Sequence, residues 1–273
     1  MSIINNMKET ELLPSQCAIW YLGQEGFLFK NSGSFIVVDP YLSSYVDENC
    51  SQLVEWKRIY QPPVAANELD FISLVICTHA HYDHADPYTL SAIAQASENA
   101  KFVFPAPMRS VIAEYGVDES RIIWARAGEQ IRLGDTKITP IPSAHEELRR
   151  DENGDFFELG YIIENPAGRF FHAGDMCPYE GLSDYLKDID IAFLPINGRD
   201  DQRRSLDIIG NFTIDEAIAL SAECSFGMLV PMHYDLYEVN RVSLSEFTRT
   251  LEKSAPDMPH HAFVPGEKFI YAK

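Results

Sequence analysis

Four side chains that can bind a divalent metal ion lie close together in the sequence: His79, His81, Asp83 and His84. Imidazole nitrogen and carboxylate oxygen are good ligands for zinc and for divalent metals of similar character. Because alternate side chains of an extended backbone point to the same side, the first two histidines can share one ion. The aspartate and the third histidine follow where the chain turns, and could hold a second ion. Solvated loop histidines are the less favoured alternative, since four ligand-type residues rarely gather after a buried strand by chance.

The sequence around this cluster predicts the elements that position it. Residues 71–77 are almost entirely apolar and predict a buried strand that ends just before the first histidine. Pro87 is a favourable first residue for the helix predicted over 88–97. Further apolar strands end directly at a residue of the same chemical type: Asp39, His145, Asp175 and His233. Since strand ends along one edge of layered α/β sheets build the site, we expect these side chains to meet.

The remaining pattern predicts two sheets with helices outside them. Apolar segments at 17–22, 27–30 and 35–38, separated by tight turns, indicate an antiparallel start to a sheet. Strands then alternate with helices, two of which are predicted to begin at capping boxes, at Thr213 and Ser243. The two halves of the chain are alike in kind, which favours two sheets packed face to face.

Other elements are predicted less directly from the sequence. We expect a single domain over 1–273, with a loose lead-in at 1–14. A helix over 108–115 and a last strand at 262–265 complete the prediction. The irregular segment 41–69 contains aromatic residues that could either line a pocket or pin the segment to the core.

Composition disfavours several classes of protein. The 273 residues are 46% hydrophobic, which is enough for a sizeable core, and carry a net charge of −19. This charge disfavours a general surface for nucleic acids or anionic membranes. The chain shows neither a signal peptide nor an apolar segment long enough to span a membrane. The five cysteines are scattered and form no CxxC pair, which predicts reduced thiols in a cytoplasmic protein.

The string His79-x-His81-x-Asp83-His84, together with the four strand ends described above, resembles the metallo-β-lactamase superfamily. The five motif blocks of that superfamily occur in order over residues 17–265. The resemblance implies a fold of the α/β (α+β) class, a four-layer αββα sandwich, with one or two divalent metal ions at one edge.

Carried over residue by residue, the resemblance also implies a role for each ligand. The first metal would be held by His79, His81 and His145. The second would be held by Asp83, His84 and His233. Asp175 would bridge the two, because a carboxylate has two oxygens. Asp39 would hydrogen-bond a ligand histidine and fix its orientation.

This ligand set suits hydrolysis. Two cations roughly 3.5–4 Å apart can share a water and lower its pKa towards neutrality, which gives a hydroxide that attacks the substrate. Asp83 or Asp175 could then accept or relay the proton, and these are the predicted catalytic residues. Ligands without thiolate admit zinc, manganese and iron.

Within the superfamily, the chain is similar to the branch named for L-ascorbate-6-phosphate lactonase. The similarity lies in Trp20-x-x-Gly23-Gln24-x-Gly26-Phe27, in Pro231-Met232-His233-Tyr234-Asp235-Leu236, and in Asn211-Phe212-Thr213-x-x-Glu216-Ala217. The lactonase is longer and differs around the third metal motif, so its exact substrate is not carried over.

A phosphorylated substrate would need a basic corner near the metals. Three arginines follow a predicted core strand at the same edge and could grip a phosphate: Arg199, Arg203 and Arg204. The alternative, equally weighted, is a solvated loop in which these arginines pair with Asp200, Asp201 and Asp207. Asn197 and Tyr234 are further candidates for positioning substrate.

Three functions therefore stand as hypotheses. The first is hydrolysis of a small anionic molecule, a phosphorylated ester or lactone. The second is hydrolysis of phosphodiester bonds in nucleotides or lipids, because the fold supports both. The third is metal binding without activity. We expect no nucleic-acid or membrane partner, and the chain could form a homo-oligomer.

Overall fold

The computed structural model describes residues 2–31, 33–50 and 53–273. The strands are β1 (Gln16–Gly23), β2 (Gly26–Lys30), β3 (Phe35–Val38), β4 (Leu74–Ile76), β5 (Lys101–Pro105), β6 (Ile122–Ala125), β7 (Ile131–Leu133), β8 (Thr136–Pro142), β9 (Leu159–Asn165), β10 (Gly168–His172), β11 (Ile191–Pro195), β12 (Leu229–Met232) and β13 (Lys268–Ala272). The α-helices are α1 (Ile3–Glu9), α2 (Tyr45–Asn49), α3 (Pro87–Ala96), α4 (Leu182–Tyr185), α5 (Asp201–Ser205), α6 (Ile214–Glu223) and α7 (Leu244–Ser254).

These strands form two mixed sheets. The first sheet has seven strands in the order β13-β1-β2-β3-β4-β5-β6, and the second has six in the order β12-β11-β10-β9-β8-β7. From β3 to β6 the first sheet is parallel. In the second sheet β10, β11 and β12 are parallel to each other, and β8 runs in the same direction because β9 is antiparallel to both of its neighbours. The strands that precede the candidate ligands therefore end at a common edge of each sheet.

The sheets face each other because their strands are apolar on both sides. In β1, Ile19 and Tyr21 belong to the core between the sheets, whereas Trp20 belongs to the core under the outer helices. Alternate side chains of a strand point to opposite faces, so a fully buried strand must be apolar throughout. Across the interface, the rings of Phe27 and Phe193 lie 4.5 Å apart between centroids.

Helices cover the outer face of each sheet. Met7 of α1 and Leu90 of α3 pack in the cluster that includes the outer side of β1. Ala217 of α6 and Phe247 of α7 are buried with the strands of the second sheet. This arrangement confirms the predicted four-layer αββα sandwich. Among the described residues, no helix is both long enough and apolar enough to cross a bilayer.

The predicted loose lead-in is wrong for most of its described length. Residues 3–9 form α1, which begins at Ser2, whose side chain accepts a hydrogen bond from the Asn5 amide. Ile4 and Met7, one turn apart, are both buried. The helix forms because this apolar face packs on the outer face of the first sheet. The short sequence pattern does not show this contact.

Three other local predictions also need correction. The segment predicted as a helix over 108–115 is instead two short 3₁₀ turns, separated at Val111. Ser243 does precede α7, but its side chain makes no capping hydrogen bond with the helix. The last strand is Lys268–Ala272 rather than 262–265, because it is the later segment that pairs with β1.

Candidate metal centre

The structure brings the predicted ligands together at one edge of the sandwich. Asp39 follows β3, the histidine cluster follows β4, and His145, Asp175 and His233 follow β8, β10 and β12. The ligand atoms form two groups, within each of which they lie no more than 4.8 Å apart. The first group is His79, His81, His145 and Asp175, and the second is Glu25, Asp83, His84 and His233.

Asp175 lies between the two groups and presents one carboxylate oxygen to each. Its Oδ2 is 3.4 Å from His145 Nε2 and 4.0 Å from His79 Nε2. Its Oδ1 is 3.3 Å from both His84 Nε2 and His233 Nε2. This is the arrangement in which a carboxylate can bridge two cations.

Asp39 supports the centre through the backbone and through a histidine. Its Oδ1 accepts a hydrogen bond from the Thr78 amide at 2.8 Å, and its Oδ2 accepts from the Thr78 hydroxyl at 2.6 Å. Asp39 Oδ2 also lies 2.8 Å from His84 Nδ1, so it accepts the proton of that nitrogen and leaves Nε2 free to bind a metal. Thr78 packs so closely that a Cβ on Gly174 would lie 2.6 Å from the threonine Cβ.

The turns that carry these residues have unusual backbone geometry. The φ angles of Gln24, Asp39 and His233 are +57°, +43° and +58°, in the left-handed region that residues other than glycine rarely adopt. Hydrogen bonds fix these turns, since the His233 amide donates to the Gln24 carbonyl at 2.9 Å and the Asp39 amide donates to the Ile76 carbonyl at 2.8 Å. Such strain costs about 1–3 kcal/mol per residue and concentrates at functional sites.

The centre has buried polar atoms that a cation would satisfy. Within the described residues, both carboxylate oxygens of Glu25, His84 Nε2 and Asp175 Oδ1 are buried and have no hydrogen-bond partner. Burying a carboxylate costs free energy unless the carboxylate is paired with a positive charge or coordinates a metal. The side chains therefore fit one or two divalent cations.

Burial keeps the histidines of the first group neutral. It is the main cause that lowers the pKa of His145 to about 3, against the opposing charge of Asp175. Burial, followed by the neighbouring histidines His84 and His81, lowers the pKa of His79 well below its ordinary value. A neutral imidazole is the form that binds a metal.

The second group is dominated by negative charge. Burial alone would lower the pKa of His84, but Glu25, Asp175 and Asp83 outweigh it and raise that pKa well above its usual range. The pKa values of Asp83 and Asp175 are lowered because nearby His84 and His233 outweigh burial. Both aspartates are therefore ionised, which is the state that a metal ligand requires.

Glu25 is the one member of these groups that the sequence reasoning missed. It lies in the turn between β1 and β2, where Gly23 and Gly26 indicate only a tight connection. A signal was nonetheless available, because Glu25 follows an apolar strand just as Asp39 and His145 do. Its importance emerges only from its burial, since its side chain has 0% exposure.

A cavity of about 410 Å³ opens beside the two groups. His81, Asp83, His145, Asp175 and His233 form its floor. The other walls are mainly apolar and include Val46, Trp56, Val111, Tyr115, Ile208 and Ile209. Among the described lining residues the only charged side chains other than histidine are aspartates, and no lysine or arginine is present.

The three predicted phosphate-binding arginines do not line this cavity. Arg199 makes two hydrogen bonds to Glu216, at 2.6 and 2.5 Å. Arg203 pairs with Asp200, and Arg204 pairs with Asp201 at 3.2 Å. The structure therefore favours the alternative of a loop whose arginines pair with carboxylates.

The other two predicted substrate residues, Asn197 and Tyr234, do not line the cavity. Asn197 is buried and donates to Asn240 Oδ1 at 3.0 Å, and it is Asn240 that lines the cavity. Tyr234 is buried in the hydrophobic core and does not line the cavity. In the aromatic segment, Trp56 lines the cavity, whereas the Tyr60 hydroxyl donates to Asp235 at 2.8 Å and pins the segment.

Comparison with known proteins agrees with this geometry. The family domain described as a beta-lactamase superfamily domain matches residues 35–234. A UPF0173 metal-dependent hydrolase from Polynucleobacter asymbioticus is 28% identical over 269 residues, which cover 90% of this chain and 81% of the relative. A UPF0173 metal-dependent hydrolase from Aeropyrum pernix is 25% identical over 268 residues, with 92% and 96% covered.

Solved structures share the fold at lower identity. A metallo hydrolase from the archaeon Ignicoccus hospitalis has a TM-score of 0.67 at 21% identity, covering 94% of this chain and 99% of that one. An isothiocyanate hydrolase from Delia radicum gut bacteria has a TM-score of 0.73 at 13% identity, covering 94% and 100%. The relatives named metal-dependent hydrolases are consistent with this assignment. Because the family domain spans well over half of the chain, the protein belongs to the beta-lactamase superfamily and has the metallo-β-lactamase fold.

Proposed function

We propose that the protein hydrolyses an ester or lactone bond in a small, uncharged and largely apolar molecule, with two divalent cations held by the two ligand groups. The observation that carries this proposal is the cavity, whose floor is the ligand groups and whose walls are apolar. His79, His81 and His145 would hold one cation and Asp83, His84 and His233 the other. Asp175 would bridge them.

When bound, the cations would lower the pKa of a water and polarise the carbonyl under attack. The chain itself supplies the proton acceptor. Asp83 and Asp175 both line the cavity, and we assign the role to Asp83 because its side chain is 20% exposed against 6% for Asp175. Gln24 holds Asp83 in place by donating from Nε2 to Asp83 Oδ2 at 3.1 Å.

The cavity walls support an uncharged substrate. The bound cations would neutralise Asp83 and Asp175, so the charge of the outer cavity decides the preference. There the charged side chain is Asp207, and no arginine or lysine among the described lining residues would hold a phosphate that extends away from the cations. Val46, Ile208 and the other apolar side chains instead offer favourable burial of about 25 cal/mol per Å² of apolar substrate surface. An uncharged ester or lactone therefore replaces the phosphorylated lactone expected from the sequence.

The test combines metal analysis with a substrate panel designed in pairs. Protein purified without added metal is analysed by mass spectrometry for metal content. The same sample is assayed with an alkyl γ-lactone against a phosphorylated sugar lactone, and with p-nitrophenyl butyrate against bis(p-nitrophenyl) phosphate. Because one solved neighbour is an isothiocyanate hydrolase, allyl isothiocyanate joins the panel. His81→Ala removes a ligand, and His260→Ala, an exposed loop histidine, is the matched control.

We expect near two equivalents of metal and a preference of roughly 100-fold for the uncharged member of each pair. Activity should be lost in His81→Ala and retained in His260→Ala. Cleavage of the phosphodiester alone would replace our proposal with the phosphodiesterase hypothesis. Bound metal without turnover of any substrate would favour a metal-binding protein, and absence of stoichiometric metal would refute the two-cation site.

A further inference from the structure

Glu25 is a buried carboxylate with no hydrogen-bond partner. Its side chain has 0% exposure, and both Oε1 and Oε2 lack a partner among the described residues. Burying a carboxyl group without a hydrogen-bond partner costs free energy unless a cation or a hydrogen-bond donor compensates. The position of Glu25 therefore needs a physical explanation.

The backbone of Glu25 is fixed by a histidine outside the ligand groups. The Gly174 amide donates to His172 Nδ1 at 3.2 Å, so His172 carries its proton on Nε2. That nitrogen donates to the Glu25 carbonyl oxygen at 2.8 Å. His172 thus ties the β1–β2 turn to the end of β10 and holds Glu25 against the metal centre.

The Glu25 side chain points to the second ligand group. Its Oε2 lies 3.6 Å from His233 Nε2, and its Oε1 lies 3.9 Å from His84 Nδ1. Glu25 does not line the substrate cavity, whereas Asp83 and Asp175 do. A residue in this place cannot reach a substrate in the cavity, but it can hold a cation from the opposite side.

We propose that Glu25 is a third carboxylate ligand of the second cation, beside Asp83 and the shared Asp175, and that it increases the affinity of this position for Mn²⁺ more than for Zn²⁺. The inference rests on the proposed two-cation site. The first group offers three imidazoles and one carboxylate, whereas the second offers two imidazoles and, counting Asp175, three carboxylates.

The difference in ligand atoms between the two groups gives the metal preference its physical reason. Imidazole suits zinc and iron, whereas carboxylate oxygen suits manganese and magnesium. A third carboxylate also adds negative charge around the second cation. We therefore expect the Mn²⁺ that binds from a mixture of both metals to occupy the carboxylate-rich position, although Zn²⁺ binds most such sites more tightly.

The test uses Glu25→Gln, which keeps the size of the side chain and removes its charge. The matched control is Glu158→Gln, because Glu158 is also a buried glutamate but pairs with Arg149 and belongs to neither ligand group. Metal-free full-length protein is dialysed against Mn²⁺, Zn²⁺ or an equimolar mixture, and bound metal is measured by mass spectrometry. Electron paramagnetic resonance reports the environment of bound Mn²⁺, and melting temperatures are recorded with and without metal.

We expect wild type and Glu158→Gln to bind two equivalents of either metal, with Zn²⁺ the tighter ion in both positions. In Glu25→Gln, affinity for the second Mn²⁺ should fall about 10- to 100-fold and more than affinity for the second Zn²⁺, so the mixture should load less Mn²⁺ than it does in wild type. The melting temperature of metal-free Glu25→Gln should equal or exceed that of wild type, because the replaced carboxyl group makes no hydrogen bond that the substitution would remove.

Two results would overturn the inference while leaving the two-cation site intact. One is an unchanged second Mn²⁺ affinity in Glu25→Gln when wild type binds two equivalents. The other is a lower melting temperature of metal-free Glu25→Gln with unaltered metal selectivity, which would show a structural role alone. Failure of wild type to bind a second ion would instead refute the proposed function itself.

Discussion

Replacement of Asp39 by asparagine should weaken cation binding at the second position, because it favours the His84 tautomer with its proton on Nε2. In the wild type, Asp39 accepts three hydrogen bonds, from the Thr78 amide, the Thr78 hydroxyl and His84 Nδ1. An asparagine has only one acceptor oxygen. If that oxygen stays with the Thr78 amide, the new NH₂ group faces His84 Nδ1 and favours the tautomer with its proton on Nε2. The nitrogen that faces Asp175 would then have no lone pair for a metal.

The expected magnitudes follow from these contacts. A hydrogen bond to a charged group contributes about 1.5–3 kcal/mol, so losing the charge at Asp39 should lower the free energy of unfolding by roughly 2–4 kcal/mol. For a chain of this size, the melting temperature should fall by about 5–15 °C. Loss of a carboxylate that orients a ligand histidine weakens metal binding about 10- to 100-fold.

The assay is equilibrium dialysis of each metal, combined with thermal unfolding of the metal-free protein. The control is Asp190→Asn, since Asp190 accepts from the Arg169 amide at 2.8 Å and from the Tyr271 hydroxyl at 3.0 Å at the other end of β10. This control should lower the melting temperature without changing metal affinity. If Asp39→Asn loses stability but binds the second ion as tightly as wild type, the reasoning about the His84 tautomer is wrong.

Three further predictions test other parts of the structure. Removing metal with a chelator should lower the melting temperature by about 5–10 °C, because a ligand present at 100 times its Kd stabilises the folded protein by about 2.7 kcal/mol. Scanning calorimetry measures this change, and it would show no shift if the ligand groups bind no metal. Ile208→Ser should raise KM for an alkyl lactone about 10-fold with kcat unchanged, since Ile208 lines the cavity, and equal KM values in steady-state kinetics would contradict the proposed apolar contact. The pKa of Glu216 is lowered from its ordinary value of 4.5 because Arg199 outweighs burial. As the pH falls, the unfolded chain therefore binds the proton of Glu216 before the folded protein does. The stability that this pair contributes is present above pH 4.5 and is lost below it. Urea unfolding at several pH values should therefore show a smaller loss in acid for Arg199→Ala, and parallel curves for the two proteins would refute this pairing.

Residue patterns alone predict the layers of the fold and the candidate ligands that follow its strands. Strand β1 is apolar on both faces, and this pattern predicts burial between two layers wherever the partner lies. The residue type and spacing of His79 and His81 alone predict a metal site. The ends of parallel strands meet at one edge, so Asp175 and His233 could be assigned to the same site despite their separation in the chain.

Which polar side chains are buried and which are paired becomes visible only when the segments of the chain are packed together. From the sequence alone, Glu25 is a turn residue. In the folded protein its side chain is buried beside the second ligand group, and this burial makes it a candidate ligand. From the sequence, Arg199 and Arg203 could equally well bind a phosphate. In the folded protein they pair with carboxylates. The helix at 3–9 needs the outer face of a sheet to bury Met7. In each case the property is a contact between segments far apart in the chain, and local residue patterns carry no record of such contacts.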